Sequence, residues 1–171
     1  MKNKFKEIQK DYQKLKRKLP RLTGQLGVNF FKDNFRRQGF KNNGKIDKWK
    51  KRKNQGAEGK RKRGILIGST KLKRSIGIVR ASPSEVMIAA KGIDYAQIHN
   101  EGGKINQTVT NKQRAFFWAK FKATGNELWK RMALATKLEI NIPKRQFMGN
   151  STDLDKQIDE LIFNNLKDIF N

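Results

Sequence analysis

The sequence predicts an α+β fold in which an antiparallel β-sheet packs against helices, with an amphipathic helix at the N-terminus and another helix at the C-terminus. Apolar residues recur at three- and four-residue steps over 5–19 and 154–169, whereas short alternating runs occupy 76–88 and 138–142. Eleven Phe, three Trp and two Tyr in 171 residues supply the apolar mass of a core, which excludes wholesale disorder. The length is that of one ordinary domain, large enough to fold without a metal or disulfide.

The first stripe is Phe5, Ile8, Tyr12, Leu15 and Leu19, surrounded by lysines. Pro20 lacks a backbone donor and is expected to end or bend this helix, which sets residues 1–20 apart as a basic amphipathic arm from a main domain over 21–171. Thr23 is the expected cap of a second helix, buried through Leu26, Phe30, Phe31 and Phe35 and closed by a left-handed Gly39. Residues 41–63 offer only Ile46 and Trp49 as large apolar groups and read as one long basic loop, with Trp49 a candidate interface anchor.

Beyond the loop, LKRS reads as a helical turn, and SIGIVRAS and SEVMIAAKG as two strands of an antiparallel hairpin turning at Ser82 and Pro83. Two strands cannot stand alone, so helices or further strands must cover them. NKQRAFFWAKFKAT is a helix with Thr110 or Asn111 at its start and Gly125 at its end, in which Trp118 packs inward. NELWKRMALAT continues as a helix, KLEINI alternates as a half-buried strand, and Pro143 stops it. The last helix carries Leu154, Ile158, Leu161, Ile162, Leu166 and Ile169, with Thr152 as cap and Asp153 and Asp155 at the positive end of its dipole.

A net charge of +25 draws the chain towards polyanions or acidic protein surfaces. The surplus is concentrated, with +18 over residues 1–63 and +7 over 64–171, while 151–171 is net −3. The acidic end and the basic end can attract each other within one chain or between neighbours. Lys48, Lys50, Lys51, Arg52, Lys53, Lys60, Arg61, Lys62 and Arg63 are the candidate contacts to DNA or to an acidic partner. The absence of cysteine excludes disulfide scaffolds, cysteine-ligated zinc, iron–sulfur clusters and thiol catalysis. No apolar window is long enough for a spanning helix and the opening residues lack a secretory apolar core, so no membrane contact and a cytoplasmic location are expected.

Catalytic chemistry has little to rest on. His99 is the lone histidine, with no HExxH, paired histidine or cysteine beside it, and reads as a structural residue beside Asn100 and Gly102–Gly103. Asp94 and Glu101 are the only nearby carboxylates worth weighing as an acid/base pair, and Glu101 reads instead as a turn residue. GAEGKRKRG follows Gly59-Lys60 with Arg61 and so departs from the phosphate-loop register. No catalytic residue, cofactor or metal is expected.

YAQIHNEGGKI at 95–105, IPKRQFMG at 142–149, NFFKDNFRRQGF at 29–40, Trp49 and STKLKRSI at 69–76 together resemble the phage virion morphogenesis family, the tail completion proteins of Mu-like and related long-tailed phages. The resemblance runs in order across about residues 22–170. It implies a non-enzymatic neck protein that completes the tail and joins head to tail, as a ring, with a hexamer expected, around the DNA path. It implies neighbouring connector and tail proteins as partners, DNA contact in the channel, assembly in the host cytoplasm and residence in the virion neck or tail end. It makes Tyr95, Ile98, His99, Asn100, Glu101, Gly102 and Gly103 one structural signature, and Pro143, Arg145, Phe147 and Gly149 a second. In that reading Arg145 can bridge carboxylates and Phe147 can fill an apolar pocket. The alternative is a non-enzymatic nucleic-acid-binding protein that uses the basic 41–63 loop, with a hydrolase acting through His99 and Glu101 as a third possibility.

Overall fold

A computed structural model describes residues 2–51 and 64–170. In chain order the elements are α1 (Lys2–Arg37), β1 (Gly39–Asn42), β2 (Lys45–Lys48), α2 (Lys71–Ser75), β3 (Ile76–Ser82), β4 (Glu85–Ala90), α3 (Ala96–Glu101), β5 (Gly103–Thr108), α4 (Asn111–Thr124), α5 (Glu127–Leu134), β6 (Lys137–Ile142) and α6 (Thr152–Phe170). The fold is α+β, and its antiparallel strands form three hairpins, β1–β2, β3–β4 and β5–β6.

The two helices expected around Pro20 are one. An interior proline removes the bond to the carbonyl four residues back and costs about 3 kcal/mol. Burial of Leu15 before it and of Val28, Phe30, Phe31 and Phe35 after it favours keeping both halves in one rod. Thr23 is therefore an interior residue, its hydroxyl donating to the carbonyls of Leu19 and Pro20 (both 3.1 Å), and caps nothing. The left-handed residue that ends α1 is Gln38, at φ 54°, while Gly39 opens β1. Glycine is needed there for a different reason, since a Cβ would lie 2.6 Å from the Asp47 carbonyl.

The expected loop at 41–63 begins as structure. Asn43 and Gly44, at φ 50° and 71°, make the two-residue turn that matches the strand twist, and β1 pairs with β2 from Gly39↔Lys48 to Asn42↔Lys45. Trp49, expected at an interface, lies in the core edge-on to Phe35 with centroids 5.4 Å apart. Its indole donates to the Gln146 carbonyl at 2.7 Å. A hydrogen-bonded aromatic gains more from this pocket than from the lysine-rich surface around it.

β3 and β4 lie across α1, which supplies the cover that two strands require. Gly24 and Gly27, one turn apart, permit the close approach: a Cβ would come within 2.7 Å of Ile78 and 2.6 Å of Ile88 respectively. α6 packs on α1, so the acidic and basic ends meet within the chain. Among the described residues no ion pair joins those two helices, and Asp153 instead pairs with Lys41 of β1 at 3.2 Å. Ser151 caps α6 in place of Thr152. Its Oγ accepts from the Leu154 amide at 3.4 Å and donates to the Lys41 carbonyl at 2.9 Å, while Thr152 accepts from the Asn43 amide.

β5, α4, α5 and β6 form an arm with its own small core of Val109, Phe117 and Ala133. β5 has no strand signal in sequence, because GKINQT is exposed along its whole length and carries no buried face to pattern it. Thr110 and Gln113 cap α4 reciprocally, and Gly125 ends it at φ 65°. The two strands close the arm at its base through Gly103↔Ile142.

Candidate functional site

The two glycine- and proline-bearing signatures meet at that base. Asn100, at the end of α3, turns its side-chain oxygen onto two successive main-chain amides, Phe147 at 2.9 Å and Met148 at 3.0 Å. Both partners are N–H donors, which fixes the orientation of the amide. The His99 carbonyl accepts from the Arg145 amide at 2.8 Å. A Cβ on Gly102, at φ 77°, would sit 2.7 Å from the Lys144 nitrogen, so glycine alone lets α3 and the 143–149 segment lie this close. Gly149 leaves the segment at φ 144°.

The 143–149 segment is then pinned to the body. Phe147 is 1 % exposed and packs on Phe35 at 5.2 Å between centroids. Its carbonyl accepts from the side chain of Asn34, whose oxygen accepts in turn from the Lys41 amide (both 3.2 Å). Arg145, expected to bridge carboxylates, aims its Nε and Nη2 at the Lys50 carbonyl at 3.3 and 3.2 Å. The result is a clasp of main-chain bonds that joins α1, the segment after β2, α3 and the approach to α6. Asn34 and Trp49 belong to the clasp as well, through the Phe147 and Gln146 carbonyls. Asn34 stands four and three residues after Phe30 and Phe31, on the buried face of the helix, and that placement is its signal, because a buried amide must be hydrogen-bonded.

His99 is half-buried and contributes through its main chain. Burial first, and then the Arg145 guanidinium, hold its imidazole below the ordinary value of 6.5. Tyr95 meets the ring edge-on at 5.7 Å, and Nδ1 has no hydrogen-bond partner among the described residues. Glu101 is exposed and accepts from Gln97 at 3.2 Å, and Asp94 is exposed as well. The arrangement thus offers no oriented base and no activated nucleophile. Among the described residues no group of three or more His, Cys, Asp or Glu could hold a metal ion, and no helix is long and apolar enough to cross a membrane. Pro143 follows β6 directly, where its missing donor is no loss.

The candidate contact cations divide. Lys48, Lys50 and Lys51 are exposed, with the Lys48 ammonium donating to the Arg37 carbonyl at 2.8 Å. Arg52, Lys53, Lys60, Arg61, Lys62 and Arg63 lie outside the described residues.

Residues 2–167 match the phage virion morphogenesis family. The chain belongs to that family. Comparison with curated proteins and with solved structures finds no match. Family membership makes this a structural, non-enzymatic protein of virion assembly. The clasp uses amides and carbonyls to hold chain segments together.

Proposed function

We propose that this family protein completes the phage tail or neck and joins head to tail as a ring around the DNA path, a hexamer being the expected stoichiometry. Tyr95, His99, Asn100, Glu101, Gly102, Gly103, Pro143, Arg145, Phe147 and Gly149 act in this reading as scaffolding that fixes a subunit surface. Neighbouring connector and tail proteins are its partners, the basic segment faces DNA or an acidic neighbour, and residues 1–20 serve as an arm. The observation that carries the reading is the clasp: side chains of both signatures bond to main chain. Assembly takes place in the host cytoplasm, and the subunit stays at the neck or tail end.

The test is electron microscopy of particles from phage lacking the gene, complemented by wild-type or tagged protein. Separate heads and tails without the protein, and label at the junction with it, are expected. Joined, infectious particles in its absence would overturn the proposal. The second reading, nucleic-acid binding through the basic segment, is favoured by the +18 charge of residues 1–63. Neutralising Arg52, Lys53, Lys60, Arg61, Lys62 and Arg63 should then flatten the salt dependence of DNA binding.

A further inference from the structure

A groove of about 610 Å³ runs between α1 and β3, and its lining carries three cations and no carboxylate. Arg17, Arg21 and Lys32 stand on its α1 side together with Gln25, and Val28, Ile76 and Ile78 form its floor. At 100° per residue, positions 17, 21, 25, 28 and 32 fall within an arc of about 80° on one helix face. The three cations therefore form a straight row, with rises of about 6 Å and then about 16 Å along the axis. Among the described residues, none of the three takes part in an ion pair or a hydrogen bond. Several other cations of the chain are held, as Lys14 is by Asp11 and Arg36 by Asp33. Opposite the row, β3 presents Gly77, where a Cβ would meet nothing within 4 Å, so strand backbone lies open to an approaching group.

We propose that this groove binds the phosphate backbone of a nucleic acid through Arg17, Arg21 and Lys32. The inference goes beyond the head–tail role and requires neither a ring nor the basic 52–63 segment. A row of one sign on a rigid rod suits a polyanion charged along its whole length, because long Arg and Lys side chains then have phosphates within reach at many registers. An acidic protein would have to supply carboxylates at three particular points. Contact of this kind positions the protein on the polymer without reading its sequence.

The test uses full-length protein and a short fluorescent duplex, with affinity measured by anisotropy between about 50 and 200 mM salt. The variant is Arg17→Gln, Arg21→Gln and Lys32→Gln together, since glutamine keeps helix propensity. Three lost phosphate contacts should reduce the slope of log affinity against log salt by about 2.7. Over that fourfold salt range the wild-type protein should lose about 40-fold more affinity than the variant. The control is Lys112→Gln, Lys122→Gln and Lys137→Gln, three exposed cations on the arm that remove the same net charge and should leave the slope within about one unit of wild type. Equal slopes for wild type and the groove variant, or equal flattening by both variants, would overturn the proposal. So would a polyglutamate peptide whose binding is lost in the groove variant while the duplex is held as before. Circular dichroism verifies that both variants are folded. Failure here leaves the micrographs of head–tail joining untouched, and failure there leaves this slope untouched.

Discussion

Replacing Asn100 with alanine removes the acceptor for two main-chain donors at once, at 2.9 and 3.0 Å, in a part of the chain that is half-buried. A typical hydrogen bond contributes about 1 kcal/mol net, and a buried donor left without a partner costs about 1–3 kcal/mol. Partial access of water to the site moderates the second figure, so the loss should be about 3 kcal/mol for the pair. A domain of this length shifts its midpoint by about 2–4 °C for each kcal/mol, which places the alanine variant about 6–12 °C below wild type. Asn100→Asp keeps an oxygen in the same place and accepts the same two amides as a carboxylate, so it should fall much closer to wild type. Urea unfolding followed by circular dichroism gives both numbers, and the contrast between the variants isolates the acceptor from the loss of side-chain volume. An alanine variant within about 0.5 kcal/mol of wild type would show that the clasp carries no appreciable part of the stability.

Gly102→Ala should destabilise by about 3 kcal/mol and Gly125→Ala by about 1 kcal/mol, because both have positive φ but only the first would press a Cβ against backbone, at 2.7 Å from Lys144. Matched chemical denaturation of the two proteins measures the difference. Ala133 is fully buried in the arm, and Ala133→Leu should overpack it by about 1–3 kcal/mol. Hydrogen exchange should then quicken in α4 and α5 while α1 and β3 keep their protection, as separate cores predict. With its imidazole held below 6.5, chiefly by burial, His99 stays neutral in the folded chain while the unfolded chain takes up a proton first. Its contribution is therefore complete above 6.5 and declines as pH falls below that value, and a stability profile of His99→Gln should lack this slope.

Where a segment was periodic and bounded by capping residues, its sequence was enough. Thr110 and Gly125, both legible as caps, bracket α4, and the stripe from Leu154 to Ile169 forms α6. At Pro20 tertiary burial on either side overrides the local propensity that favours a break. β1 and β2 are hidden by their polarity, and Asn43-Gly44, a hairpin dipeptide, lacks the flanking apolar alternation that makes its signal strong. Trp49 has lysines beside it in sequence, whereas in space its surroundings are Phe35 and the Gln146 carbonyl, from other parts of the chain. The signatures themselves were recognisable, but which atoms they use was not. Nothing in HNEGG or PKRQF says that Asn100 and Arg145 act on main chain 47 and 95 residues away.

The position of the clasp explains why two signatures so far apart form one site. β5 leaves directly after Gly102 and β6 returns directly before Pro143, so the arm is a closed excursion whose ends are paired at Gly103↔Ile142. Closing a longer excursion adds only about 0.6 kcal/mol for each doubling of its length, so the arm's length weighs little on the body. The angle at which the arm leaves is another matter. It depends on the few residues where α3 and the 143–149 segment touch, and there the tolerances are a missing Cβ at Gly102 and two bonds from one side-chain oxygen of Asn100. A residue in an enzyme site is recognised by a reactive atom left available in a defined geometry. In this clasp the polar side chains of Asn34, Asn100 and Arg145 are all bonded to main chain, and their placement makes sense only if what must be preserved is the relation of arm to body.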